Sequence, residues 1–388
     1  MKNPTSKWSN IFSKKILNVC ILGGGNIGTL LLGDLGRKEN LSVRLYTTRP
    51  DRWNHRIDVC NVNNTIKYSS DIDKISDNPN DVIYDADIII STYPSHIFPS
   101  MLHKIKASIR SGTWLGFMPG SGGSEFYSKE LIEKGCLLFG FQRVHGISRI
   151  KEYGKSVYDL GKKSELYIGT IPAKKAEEVC AVMEDILDMK CYPLPNYLNV
   201  TLTPSNPILH TSRIYTMFHD YKEGIYWDRE INFYEEWTDE ASEVLIKCDE
   251  ELQAMCKKIN GLDLSGVVSL KKHYESETKE MMTNKLCNIT AFKGIKAPMI
   301  KTEKGYIPDS NSRYFLEDFP YGLCIIKGFC DVVDLDTPMI DKVLMWFEKF
   351  ASVEYYINGE FKGKDLKGLP LPKNYGLHKV SNIVSYYL

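Results

Sequence analysis

Six residues near the start of the chain, Gly23-Gly24-Gly25-Asn26-Ile27-Gly28, have G-x-G-x-x-G spacing. They stand between an apolar run over residues 16–22 and a helical pattern over 26–36. In that setting glycines permit a tight turn and let backbone approach a pyrophosphate at a helix N-terminus. The pattern predicts a dinucleotide site with contacts from Gly23, Gly25, Asn26, Ile27 and Gly28. A purely structural glycine turn is the plainer reading, and the flanking strand and helix patterns argue against it. About 20 residues further on, NAD-binding chains usually carry a carboxylate for the ribose 2′-hydroxyl. Here that stretch reads Tyr46-Thr47-Thr48-Arg49-Pro50-Asp51-Arg52. Thr48, Arg49 and Arg52 suit a 2′-phosphate, because a guanidinium matches phosphate geometry. NADP(H) is therefore the favoured cofactor, while Asp51 keeps NAD(H) open. Thr92 and Pro94, in the loop after a strand-like run over 87–92, lie where doubly wound sheets bind ligands. The loop Pro119-Gly120-Ser121-Gly122-Gly123 is placed similarly.

The second half carries different chemistry. In Pro204-Ser205-Asn206-Pro207-Ile208-Leu209-His210, Asn206 reads as a helix N-cap and Pro207 as the first helical residue. That sets His210 in the first turn, where the helix dipole disfavours the imidazolium form. A neighbouring carboxylate would restore it, giving a general acid/base. Further on, Asn311-Ser312-Arg313 leads into Asp318, and Pro320 marks a helix start that Asp318 would cap. Arg313 offers a planar fork for a substrate carboxylate. Each of these has a bland alternative: a structural histidine, a simple cap, a surface arginine.

The elements that must position these residues change character midway. Strand and helix patterns alternate up to a helical stretch over 173–187, implying a parallel sheet with helices on both faces. After Tyr192-Pro193-Leu194-Pro195 the strands nearly vanish. Helical patterns then run over 238–259, 265–274, 278–292, 320–333 and 338–351, followed by an irregular 357–379. The boundary is expected at the proline pair, giving a dinucleotide-binding domain over 1–192 and a helical substrate domain over 193–388. Lys plus Arg equals Asp plus Glu at 49 each, so no basic excess points to nucleic acid. No apolar stretch approaches the roughly 18 residues needed to span a bilayer. The ten cysteines form no C-x-x-C pair or zinc-like spacing, which predicts no metal site and fits free thiols in a reducing cytoplasm. The basic start, to Lys15, reads as a surface extension rather than a signal peptide.

Taken in order, Asn206-Pro207-x-x-His210, Arg313-x-x-x-x-Asp318 and Pro320-Tyr321-Gly322 resemble the octopine/nopaline (opine) dehydrogenase family. Arg149-Ile150-Lys151-Glu152-Tyr153-Gly154-Lys155 and Thr337-Pro338-Met339-Ile340-Asp341 extend the resemblance over roughly residues 16–352. It implies an N-terminal Rossmann domain and an all-α C-terminal domain of the 6-phosphogluconate-dehydrogenase-like type. It also implies NAD(P)H-dependent condensation of an amino acid with a 2-oxo acid, usually pyruvate, giving an N-(1-carboxyalkyl) amino acid. By resemblance His210 is the acid/base, Asp318 its orienting partner, and Arg313 and Asn206 bind substrate. Small-molecule substrates are the expected partners, with no nucleic acid and no membrane. A homodimer is compatible with a sequence that carries no signal of oligomeric state. The chain departs from the family at Arg143-Val144-His145-Gly146-Ile147-Ser148, where members often carry a Pro-Trp sequence; His145 reads as a surface-loop residue. The aromatics between Tyr215 and Trp237 read as core or lid, with room for one substrate contact. Two other readings stand beside this one. A ketopantoate-reductase-like or polyol-type enzyme would use a catalytic lysine. A silent dinucleotide sensor would not bring His210, Arg313 and Asp318 together.

Overall fold

Ile88, Ile89 and Ile90 are all fully buried, as expected of a strand in a sheet covered on both faces. A computed structural model describes residues 8–388. Its N-terminal strands are Leu17–Leu22 (β1), Leu41–Tyr46 (β2), Arg56–Cys60 (β3), Ile66–Asp71 (β4), Lys74–Ser76 (β5) and Ile88–Ser91 (β6). They continue with Trp114–Phe117 (β7), Leu137–Phe141 (β8), Gly146–Glu152 (β9), Ser156–Lys162 (β10), Glu165–Ile171 (β11) and Lys190–Pro193 (β12). The main sheet has the order β12-β11-β8-β7-β6-β1-β2-β5. β1 pairs in parallel with both β2 and β6, Leu17 opposite Leu41 and Val19 opposite Ile88. The chain therefore winds outward from β1 in both directions, which defines a doubly wound sheet with its switch point beside β1. At one edge the direction reverses: β11 pairs antiparallel with β8, and β12 runs parallel to β11.

A second sheet, β4-β3-β10-β9, has no counterpart in the sequence reading. Its strands are only partly buried, and its register shifts at Val59/Cys60 and Ser156/Val157, so no clean period-two pattern marks it. It covers the Asn26–Leu35 helix through Leu30, Val59 and Val157.

The expected surface extension is corrected where it can be seen. Trp8 is 1% exposed and joins the main core, and Phe12 packs on Trp114 with ring centroids 4.8 Å apart. Residues 1–7 lie outside the described residues.

The chain divides into two compact units. One runs to Thr201 and includes Leu262–Gly266 and Tyr387–Leu388; the other holds Leu202–Gly261 and Val267–Tyr386. The division falls beyond the proline pair because β12 pairs with β11 and the Tyr197 hydroxyl donates to Gly120 O at 2.9 Å, tying this stretch to the sheet.

The second unit is built mainly from helices Ser205–Phe218, Asp239–Lys258, Lys279–Asn288, Tyr314–Leu323, Cys324–Val332 and Pro338–Ala351. Thr238 and Thr278 cap two of them, accepting from the N–H groups of Ala241 and Met281. Two departures stand out. Only Leu270–His273 of the pattern over 265–274 is helical, and two ribbons interrupt the helices. These ribbons pair Met299–Thr302 (β13) with Gly305–Pro308 (β14) and Tyr356–Ile357 (β15) with Glu360–Phe361 (β16). No helix among the described residues is long and apolar enough to cross a membrane.

Candidate active site

The glycine turn opens directly from β1. Gly23 has φ +97, and a Cβ at Gly28 would lie 1.9 Å from Gly23 O. Only a bare α-carbon lets the helix start so close to the turn. At Gly25, by contrast, nothing lies within 4 Å, so the helix faces open space there. The Asn26–Leu35 helix begins with no side-chain cap and no acidic residue in its first turn. A pyrophosphate fits such an end, where N–H groups lack intrahelical partners.

Several predicted contacts have other duties. The Thr92 hydroxyl donates to Leu22 O and Gly23 O, both at 3.1 Å, bracing the turn from β6. Asn26 accepts from the Ile150 N–H at 2.8 Å through Oδ1, so its side chain ties the helix start to β9. Its carbonyl accepts from the Ser148 hydroxyl at 2.9 Å, so its backbone N–H is what the helix start can offer a cofactor. Ile27 is half-buried against the core and Pro94 is half-buried ahead of the Phe98–Ile105 helix.

After β2, Thr48, Arg49, Asp51 and Arg52 are all exposed. Trp53 lies beneath the turn, since a Cβ on Gly24 would meet its Cζ2 at 2.0 Å. The Arg52 guanidinium sits 4.9 Å from the centre of the Tyr153 ring, which holds it at the strand end. His145 is a correction: it is fully buried, with Nε2 3.2 Å from Asp34 and Nδ1 3.1 Å from Met118 Sδ. It pins the start of β9 to the Asn26–Leu35 helix, where Lys162 and Tyr68 also reach Asp34. Among the described residues no cluster of three or more His, Cys, Asp or Glu could hold a metal.

In the second unit the Ser205–Phe218 helix starts at Ser205, with Pro204 in the capping position. Asn206 is therefore inside the first turn rather than its cap. Pro207 remains harmless there, because first-turn N–H groups have no helical partner. His210 stands in the second turn, four residues after Asn206 and on its face.

Asp318 is not a cap either. It lies inside the wide helical turn Tyr314–Leu323, a π-helix that runs on into Cys324–Val332 and contains Pro320. Proline would clash with the i−4 carbonyl of an ordinary helix, and the wider turn accommodates it. Gly322 lets this turn press on the Ser205–Phe218 helix: a Cβ there would be 3.0 Å from Pro207 Cβ. The approach brings Asp318 Oδ2 to 2.8 Å from His210 Nδ1. On the other side of the ring, Nε2 lies 3.0 Å from the Tyr234 hydroxyl.

His210, Asp318 and Tyr234 are 6%, 5% and 5% exposed, so the three form a dry chain. Burial pushes the Asp318 carboxyl above its ordinary range, against the pull of His210 and Arg313, and pushes the Tyr234 phenol well up. Tyr314 and Phe233 wall the imidazole, with ring centroids 4.8 and 5.8 Å away. Arg313 is exposed at the head of the wide turn, near enough for its charge to act on both Asp318 and Tyr234. Sequence reasoning missed Tyr234; its only signal was the aromatic density between Tyr215 and Trp237.

A Rossmann unit with an open glycine cradle, and a helical unit with a buried His–Asp pair, define a two-domain dinucleotide-dependent oxidoreductase. Residues 193–351 match the family described as NAD/NADP octopine/nopaline dehydrogenase, alpha-helical domain. Tauropine dehydrogenase of Arabella iricolor is 29% identical over 95% of this chain and 100% of its own length. Opine dehydrogenase of Haliotis discus hannai is 28% identical over 96% and 99%. An octopine dehydrogenase solved with NADH and agmatine superimposes with a TM-score of 0.83 at 22% identity, covering 95% of this chain and 98% of that one. Over nearly its whole length the chain is thus similar to the opine dehydrogenases, NAD(P)-dependent oxidoreductases acting on CH–NH donors, and its helical unit matches their alpha-helical domain.

Proposed function

We propose that the protein joins an amino acid to a 2-oxo acid, with pyruvate the first choice, and reduces the product to an N-(1-carboxyalkyl) amino acid. The observation that carries this reading is the His210–Asp318 pair: two groups 108 residues apart meet at 2.8 Å in a buried, aromatic-walled site. As the amine attacks the oxo carbon, the carbonyl oxygen must gain protons and leave as water. His210 supplies that acid, a contribution of ~10²–10⁴-fold in rate. Asp318 accepts the Nδ1–H, fixes the tautomer and stabilises the imidazolium. Arg313 clamps the oxo-acid carboxylate with its fork, and Asn206 binds substrate from the same helix face as His210. The reduced nicotinamide, when bound, supplies the hydride for the imine carbon. Octopine dehydrogenase has been solved with L-arginine and with pyruvate, which supports an amino acid and pyruvate as substrates here.

For the cofactor the favoured form is NADP(H). β2 ends without a carboxylate, while Thr48, Arg49 and Arg52 are exposed beyond it and Arg52 is held over Tyr153. Asp51 is the residue that would serve NAD(H) instead. Ten free thiols suit a reducing cytoplasm. The lysine-dependent alternative finds no support in Lys327, the buried lysine of this unit, because Asp341 at 2.8 Å and Asp331 at 3.2 Å neutralise it.

The test follows nicotinamide absorbance with NADPH or NADH, pyruvate and pools of amino acids, comparing wild type with His210→Ala. Oxidation that needs both substrates and collapses in the variant is expected. Turnover with the oxo acid alone would replace this reading with a simple reductase, and cofactor binding without turnover would make the protein a sensor. Size-exclusion chromatography of the same preparation separates monomer from homodimer.

A further inference from the structure

Both ring nitrogens of His210 are engaged. Nδ1 faces Asp318 at 2.8 Å and Nε2 faces the Tyr234 hydroxyl at 3.0 Å. Asp318 fixes the proton on Nδ1, so neutral His210 takes a hydrogen bond from Tyr234 at Nε2. When the imidazole is protonated the roles reverse. Nε2–H then donates to the phenol oxygen, and the phenol proton must turn away from the histidine. A proton leaving His210 towards substrate therefore has one exit, the Tyr234 oxygen.

The segment that carries this phenol is held on both sides. Arg213, one turn after His210 on the same helix, is buried and donates through Nε to Phe233 O at 3.1 Å and through Nη2 to Glu236 O. The Tyr234 ring is stacked on Phe292 at 4.1 Å between centroids. The charge of Arg313 acts on Tyr234 as well as on Asp318.

We infer that Tyr234 is a further catalytic residue, the group that hands the proton to the substrate oxygen. In the step, the phenol O–H bond breaks as a proton passes to that oxygen, and the Nε2–H bond breaks as its proton refills the phenol. Imidazolium becomes imidazole, tyrosine stays neutral, and no other reactant is consumed. A phenol raised far above its ordinary range forms no standing tyrosinate, which is what a concerted hand-over requires. This inference rests on the condensation proposed above and names who touches the substrate in it.

The test is Tyr234→Phe, which keeps the ring and its stacking and removes only the oxygen. The expected result is a fall in kcat of about 100-fold with KM for both substrates within about twofold, alongside an unchanged melting temperature. In a His210→Ala background the same change should cost less than about twofold, because the two residues act in series. A solvent proton inventory on the wild type, which needs no variant to fold, should show two protons in flight. Equal losses in both backgrounds, near-wild-type kcat in Tyr234→Phe, or a one-proton inventory would overturn the relay. If His210→Ala itself kept full activity, the condensation mechanism would fail instead, so the two failures are distinct.

Discussion

At the scale of single residues, the pair His210 and Asp318 works by geometry and charge together. Asp318→Asn keeps the shape but cannot hold the proton on Nδ1 or stabilise the imidazolium. A drop in kcat of about a thousandfold with little change in KM is expected, read by steady-state kinetics with both substrates. His210 and Arg313 were legible as residue types in suggestive places. From its local sequence Asp318 read as a cap, because nothing local shows that Pro320 sits within a wide helical turn rather than at a helix start; its role beside His210 came only through the family resemblance. Tyr234 was not legible as an individual residue, since one tyrosine among many aromatics acquires its role only from the ring nitrogen it meets.

At the scale of elements, two close approaches position the chemistry. One is the glycine turn against the Asn26–Leu35 helix; the other is the wide turn against Pro207. Gly28→Ala would drive a methyl into Gly23 O and towards the Thr92 hydroxyl, 1.9 and 2.7 Å away. The turn must open, so dinucleotide affinity should fall by at least about tenfold, measured by titrating NADPH or NADH fluorescence. Far-ultraviolet circular dichroism should stay unchanged; retained affinity would mean that the cofactor does not lie on this helix. The central strands and the helices at Asp239–Lys258 and Pro338–Ala351 were readable from periodicity, because burial on one stripe or both faces imposes it. The sheet β4-β3-β10-β9 was not, because bulged and half-exposed strands impose almost none.

At the scale of the whole molecule, a buried carboxylate links distant parts of the chain within the first unit. Glu125 is fully buried and accepts from the hydroxyls of Thr201 and, at 2.8 Å, of Tyr387, next to the last residue. Burial raises its carboxyl from an ordinary 4.5 to about 7. The folded protein thus binds this proton more tightly than the unfolded chain. The stability it contributes is full below about pH 4.5 and is lost as pH rises through about 7, by roughly 3 kcal/mol at most. Glu125→Gln should flatten that slope in denaturant-unfolding curves between pH 5 and about 8, and an unchanged slope would assign it to other groups.

The sequence by itself determined the class of protein: a dinucleotide fold from glycine spacing and buried strands, a helical second half from apolar stripes, and a family resemblance from the order of His210, Arg313 and Asp318. These are local or ordered signals, carried by backbone demands that neighbouring residues alone express. Only tertiary structure decided that His145 is buried against Asp34, that Trp8 belongs to the core, and that Asn206 and Asp318 are not caps. It alone decided that His210 meets both a carboxylate and a phenol. The burial and pairing among these depend on contacts between residues far apart in the chain, and a contact of that kind leaves no periodic trace in the sequence it joins.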